Sequence, residues 1–274
     1  MVRYEKLPPP QHLVPYVECF YAWEITAVGA ASLLLESPPN GFTSITFNYG
    51  NCYEVSVGTE NYTPVHRSFI TGQASKNYFF RISRPIGQIG IVFRPTAIAS
   101  LFGLPMYEFT DERYDLAAVL GNQVLTLQQK IEDSINTKER ISHLVQFLNI
   151  RLLRQDCRTD RTDYAANRIF EHKGIINMNT LMDDLYVSKR QFERLFLNKT
   201  GVSPKQYARI RRIGYLCNLM ASKRWEIKDW ADLIYQMGYY DQSHFIRDFS
   251  SFTGKSPSRY LKNNKELARF LSEF

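Results

Sequence analysis

Two stretches of this chain repeat each other 53 residues apart, and that repeat restricts the possible folds more than any other feature. In the second copy, Gly238-Tyr239-Tyr240-Asp241-Gln242-Ser243-His244-Phe245-Ile246-Arg247-Asp248-Phe249 runs on to Phe252-Thr253-Gly254-Lys255-Ser256-Pro257. In the first, Ser188, Phe192, Arg194, Phe196, Thr200, Gly201, Ser203, Pro204 and Tyr207 stand where the second has Asp241, Phe245, Arg247, Phe249, Thr253, Gly254, Ser256, Pro257 and Tyr260. Each copy reads as a capped helix with a stop: Ser188 and Asp241 accept from free backbone N–H groups, the phenylalanines recur at helical spacing, and Gly then Pro ends the run. One face is apolar. The other, in the second copy, carries Gln242, Ser243, His244, Arg247 and Ser251, hydrogen-bonding groups rather than the Lys/Glu mixture of a solvated face. Two copies are too few for a solenoid, which needs three or more units to bury a continuous core. The repeat is therefore a duplicated motif inside one domain.

Each copy is preceded by a short predicted helix and a tight turn, 180–185 before 189–200 and 229–236 before 242–253. This is the layout of a helix-turn-helix, whose second helix enters the major groove with its N-terminal residues at base edges. A helix predicted over 204–222 joins the copies and spans ~28 Å, near the ~34 Å of one B-DNA turn. One protomer is thus expected to meet two successive major-groove segments. Arg190, Arg194 and Arg247 suit guanine, Gln191 and Gln242 suit adenine, and Glu193 suits cytosine N4. His244 has a second reading, as a side chain that only caps its helix. Lys189, Lys205, Arg209, Arg211, Arg212 and Lys255 are expected at phosphates, where they set register and affinity rather than base choice, the alternative being that they are simply solvated. Charge agrees with this placement. Residues 1–154 are balanced, so the whole net charge of +7 falls on 155–274, which points to an anionic partner, double-stranded DNA first.

The first half has a different texture. Aromatic-rich or alternating segments predict strands at 20–25, 44–49, 53–57, 66–71, 77–82 and 87–93, with a turn at Pro38-Pro39-Asn40-Gly41, the pattern of a small β-barrel or sandwich. Residues 8–16, with three prolines, read as an extended entry. Helices are predicted over 96–102, about 113–134 and 138–154; the last carries the stripe Ile141, Leu144, Val145, Leu148, Leu152 and Leu153, expected to pack on its own barrel rather than form a dimer seam. The polar, aperiodic run 155–163 reads as a linker. Further helices are predicted at 164–172, 179–185 and from Pro257 onward.

Residues 164–262 resemble the DNA-binding domain of AraC/XylS-type regulators, on Ser188-x-x-x-Phe192-x-x-x-Phe196-x-x-x-Thr200-Gly201-x-Ser203-Pro204 and on the Gly238–Phe249 motif. The resemblance implies two helix-turn-helix units joined by the helix over 204–222. It places base-reading positions on Arg190, Gln191, Glu193 and Arg194, then on Gln242, Ser243, His244 and Arg247. Tyr186, Met182 and Ile234 depart from it, standing where the family often has Gly, Ala and Ala. Residues 8–154 resemble an N-terminal sensor-like domain of some such regulators, on Pro8-Pro9-Pro10, Pro15-Tyr16-Val17-Glu18, Asn40-Gly41 and Val92-Phe93-Arg94-Pro95, which implies a cupin-like barrel with appended helices.

The expectation is an α+β two-domain chain: a cupin-like sensor or dimerisation domain over 1–154, a linker over 155–163, and an all-α tandem helix-turn-helix domain over 164–274. Its function is expected to be sequence-specific DNA binding in transcription regulation, without enzymatic activity or a cofactor. Expected partners are DNA, a small-molecule effector, a second copy and RNA polymerase. Phe47, Tyr49, Phe79, Ile91 and Phe93 are candidates to line the effector pocket from the inward side of the strands, though such residues also simply fill cores.

The alternative is a DNA-repair or metal-dependent barrel enzyme fused to the same DNA-binding half. Against it, His12 and His66 are the barrel's only histidines and no 2-His-1-carboxylate pattern exists. Cys19 and Cys52 lack a neighbouring Arg/His cluster to activate a thiolate. Cys19, Cys52, Cys157 and Cys217 are scattered, without a C-x-x-C pair, which fits a reducing cytoplasm. Residues 1–8 have no apolar stretch of a signal peptide and no window is apolar enough to span a bilayer, so neither export nor membrane insertion is expected.

Overall fold

The computed structural model describes residues 2–29, 31–58, 61–154, 159–183, 185, 188–222, 227 and 229–263. Strands β1 (Val2–Leu7), β2 (Val17–Ile25), β3 (Leu33–Ser37), β4 (Thr43–Asn48), β5 (Glu54–Val57), β6 (Thr63–Pro64), β7 (Ser68–Thr71), β8 (Tyr78–Ile82), β9 (Ile86–Phe93) and β10 (Arg113–Asp115) build the N-terminal half. They form two antiparallel sheets, ordered β1-β2-β9-β4-β7-β10 and β3-β8-β5-β6. The larger sheet is buried on both faces. Along β9, Ile89, Ile91 and Phe93 join one core while Ile86 joins the other, the period-2 alternation of a pleated strand.

Helices α1 (Ala97–Phe102), α2 (Leu116–Leu120), α3 (Gln123–Asp133) and α4 (Thr137–Arg154) cover one face. Ile98, Leu101, Leu116, Val124, Ile131, Leu144 and Leu148 close that core over Phe20, Ile45, Phe47, Ile91 and Phe93. Each such side chain contributes roughly 1.5–3 kcal/mol by burial. The other face meets the smaller sheet through Tyr21, Trp23, Ile25, Phe69 and Ile86 against Leu35, Val55, Tyr78, Phe80 and Ile82.

This placement corrects the effector-pocket assignment. Phe47, Ile91 and Phe93 point at the helices, not into the space between the sheets. Tyr49 packs on that same helical side, and its hydroxyl donates to Glu24 Oε1 at 2.7 Å. Phe79 lies near the Lys255 ammonium, 5.7 Å from its ring centre. Alternation identified two faces, but both are buried and apolar, so it did not say which meets the second sheet.

Other differences are local. Residues 113–134 are not one helix: Arg113–Asp115 pairs with β7, and Gly121, at φ 86°, separates α2 from α3. Residues 11–13 form one 3-10 turn within the stretch read as extended. The α4 stripe packs on its own domain except Leu153, which is 88 % exposed.

The C-terminal half comprises α5 (Arg161–Glu171), α6 (Met178–Asp183), α7 (Lys189–Thr200), α8 (Pro204–Ser222), α9 (Trp230–Gln236), α10 (Gln242–Thr253) and α11 (Pro257–Asn263). Helix α5 begins inside the run read as linker, because Asp160 and Asp163 form a reciprocal capping box. Residues 155–158, including Cys157, and Tyr186 lie outside the described residues. Ile169, Phe192, Phe196, Tyr207, Ile213, Phe245, Phe249 and Tyr260 share one core. Met182 and Ile234 pack in or against it, so the bulkier residues are absorbed there.

Candidate nucleic-acid interface

Both predicted reading helices form with the expected bounds and caps. The Ser188 hydroxyl accepts from Gln191 N at 3.3 Å and the Asp241 carboxylate from His244 N at 2.7 Å. Both end alike: Gly201 and Gly254 adopt φ of 90° and 69°, and the Thr200 and Thr253 hydroxyls lie 2.8 and 2.9 Å from the Phe196 and Phe249 carbonyls. Left-handed backbone explains the glycines, and the hydroxyl bonds explain the threonines before them.

The first turns carry the candidate readers. Arg190, Gln191, Glu193 and Arg194 on α7, and Gln242, Ser243, His244 and Arg247 on α10, are all exposed. None uses its side chain in a hydrogen bond or ion pair with another described residue; the His244 ring meets Tyr239 edge-on at 5.3 Å. A cleft of about 840 Å³ lies between the repeats, lined by Lys189 and Glu193 of α7, by Lys205, Arg209 and Arg212 of α8, and by His244 and Arg247 of α10. Thus side chains of both reading helices border a cleft edged by cations.

Of the six cations assigned to phosphates, Lys189 and Lys205 are exposed at this cleft. Arg209 and Arg212 line it while already bonded within the protein. Arg209 Nε donates to Asp248 Oδ1 at 2.7 Å, and Arg212 donates to Gly174 O at 3.1 Å. Arg211 is a correction. It is 9 % exposed, donates to Asn40 O at 2.6 Å, and lies between the Phe42 and Phe170 rings at 4.7 and 4.1 Å. Burial lowers its pKa, the cost of placing a cation there. Lys255 is a second correction: its ammonium pairs with Glu36 of the N-terminal half at 2.6 Å. Nearness in sequence to free cations did not show that helix α8 turns this face toward the other domain.

That contact runs along the helical half. Tyr207 Oη donates to Gly41 O at 3.2 Å, and a β-carbon at Gly214 would come within 2.6 Å of Asn40. Thr110 Oγ1 donates to Gly201 O at 2.7 Å. Asn77 donates to Phe252 O through its backbone at 3.2 Å and to Thr253 O through its side chain at 2.9 Å. The N-terminal half therefore holds both reading helices at their C-terminal ends, leaving their first turns exposed. The Asn40-Gly41 turn is central to it.

Two positioning groups escaped the sequence reading. Asp248, 5 % exposed, accepts from Tyr239 Oη at 2.8 Å as well as from Arg209, tying α10 to α8. A carboxylate three residues after Phe245, on the apolar face, was the available signal, since a buried carboxylate requires partners. Lys199 ties α7 to the start of α5 through Asp160 and Asp163, at 2.8 and 2.9 Å.

The thiols carry no sign of activation: burial pushes Cys19 up to about 11, and Cys52 is raised by the same cause. Among the described residues no group of three His, Cys, Asp or Glu is placed to hold a metal, and no helix is long and apolar enough to cross a membrane.

These features define a sheet-rich domain joined to a tandem helix-turn-helix domain. Residues 181–263 match the family described as a helix-turn-helix domain, and residues 5–115 match a domain of unknown function, DUF6597. The chain is 26% identical over 164 residues to the probable transcriptional regulator LumQ of Photobacterium leiognathi, a match covering 58% of this chain and 63% of that protein. Among solved structures, ToxT of Vibrio cholerae aligns at 13% identity and TM-score 0.45, covering 89% of this chain and 97% of that one. A cupin domain of a transcriptional regulator from Enterobacter cloacae aligns at 14% identity and TM-score 0.26, covering 33% of this chain and 94% of that one.

Proposed function

We propose that this chain is a transcriptional regulator that reads double-stranded DNA through both helix-turn-helix units of one protomer, under the control of a small molecule acting on the N-terminal domain. The observation that carries this reading is the pair of exposed first turns, in which eight polar side chains make no hydrogen bond or ion pair with another described residue. Base edges demand such groups, and Arg, Gln and Glu supply the pairings for guanine, adenine and cytosine. Lys189 and Lys205, with Arg209 and Arg212 behind them, serve the phosphates between the two groove segments. LumQ, named a probable transcriptional regulator, supports the same reading.

Control follows from the domain contact. The N-terminal half grips the far ends of α7 and α10, so a change in that half alters how the two readers are held relative to each other. An effector acts only to the extent that it binds one arrangement more tightly than another. The proposal gives the protein no enzymatic reaction and a cytoplasmic location; self-association and a contact with RNA polymerase belong to it as well, and sedimentation with operator and polymerase checks both.

The experiment is selection of genomic fragments by the intact protein. The expected product is a motif with two blocks one helical turn apart. Recovery of fragments without any shared motif overturns the reading.

A further inference from the structure

The space between the two sheets differs in chemistry from the apolar layer under the helices. Arg113 of β10 enters it with its guanidinium 3.9 Å from the Tyr78 ring centre and 5.8 Å from that of Phe80. Phe80 continues to Tyr53 and Trp23, at 5.5 and 6.2 Å between ring centres. Tyr21 lies flat on the larger sheet over Gly90, where a β-carbon would come within 2.4 Å of its ring. Gly90 is what lets that floor be aromatic.

Arg113 has no ion pair among the described residues, and its Nε is buried without a partner. Asp111, two residues away, bonds to Ser75 instead. Burial pushes the Tyr53 and Tyr78 hydroxyls up to about 12, and in both the Arg113 charge acts in the opposite sense, so its field reaches both rings. Gln88, 3 % exposed, pairs in register with Trp23 on the inward face, and its Oε1 is also unpartnered. Arg113 is only half-buried and lies over the Tyr78 ring, yet it has no carboxylate partner among the described residues, and a buried acceptor without a donor opposes folding. A chain selected for stability alone would place apolar groups here. Both defects are met by a ligand that brings a negative charge and a donor.

We propose that this interior is the binding site for a small organic acid: its carboxylate pairs with the Arg113 guanidinium, its planar apolar body packs among Tyr21, Trp23 and Phe80, and a ligand O–H or N–H donates to Gln88 Oε1. The guanidinium fork matches a carboxylate in two parallel bonds, and aromatic walls suit a flat body. The site rests on the reading of the N-terminal half as a sensor and supplies its ligand class.

The test uses the intact protein with aryl carboxylates as probes, benzoate, 4-hydroxybenzoate and indole-3-acetate, each beside its neutral alcohol, measured by calorimetry and thermal shift. At least one acid should bind at millimolar concentration or tighter, and its alcohol at least ten-fold more weakly. Arg113→Met should lose at least ten-fold in acid affinity, while Arg113→Lys keeps part of it. Acids binding no better than alcohols, or binding Arg113→Met as well as wild type, would overturn the site. Operator affinity is followed in parallel. Acid binding governed by Arg113 without any change in operator affinity leaves the site standing and overturns the sensor reading.

Discussion

The two helix-turn-helix repeats share a cap, an aromatic register and a Thr-Gly stop, yet different chemistry anchors them. In the second, Asp248 is buried on α10 itself and takes bonds from Tyr239 and Arg209. The equivalent position in the first is Leu195, and there the anchor is Lys199, reaching out to the capping box of α5. Their contacts with the N-terminal half differ as well. Thr110 meets the end of α7 through one neutral bond, whereas Asn77 and the Lys255–Glu36 pair hold the end of α10. A duplicated motif preserves what the backbone requires, and each copy finds its own way to stay in place.

The largest expected effect of that difference is at Asp248. Asp248→Ala leaves Arg209 and Tyr239 without their shared acceptor and should cost about 2–3 kcal/mol, less than a fully buried pair because Arg209 is a third exposed. Denaturant unfolding measures it. Leu195→Ala at the equivalent position of the first repeat should cost less, since no charge is stranded there.

Next comes the domain contact. Arg211→Ala removes packing between Phe42 and Phe170 and the bond to Asn40 O, at a cost of about 2 kcal/mol. Calorimetry should then show the two domains melting separately. An unchanged single transition contradicts a coupling role for Arg211.

Lys205→Ala should be milder. It should weaken binding to specific and random DNA alike and reduce the salt slope by about 1. An effect confined to one sequence would make Lys205 a base reader.

The smallest effect is a response to acid. Burial alone would raise Asp160, but the Lys199 ammonium and the backbone N–H groups of Asp163 and Thr162 outweigh it and hold it below the ordinary aspartate range. Its contribution is therefore complete above the unfolded aspartate value of about 3.9 and is lost as pH falls through the lower folded value. Hydrogen exchange below about pH 4 should report loosening at α5 and α7 that Lys199→Met abolishes.

Much of the helical half was readable because its signals are local. Caps at Ser188 and Asp241, phenylalanines at helical spacing and the Gly-Pro stops place α7, α8 and α10 within a residue of where they lie. What was not readable depends on what each face meets. Strands β1 and β3 lack clean alternation and lie at sheet edges, where tertiary pairing rather than local pattern defines them. Phe47 and Tyr21 are both aromatic side chains on the two strands that flank β9, yet one meets helices and the other the second sheet. Arg211 and Arg212 are adjacent cations on one helix, and only the packing of a second domain separates their roles.

Hydroxyl-radical footprinting of a selected operator, with wild type, Arg194→Ala and Arg247→Ala, decides whether one protomer reads with both helices. Two protected segments about 34 Å apart are expected on one face of the duplex. Each variant should lose base preference, by about 1–3 kcal/mol, in one segment only, and not the same one. Protection of a single segment per protomer, or loss at the same segment for both variants, would contradict a two-site reader.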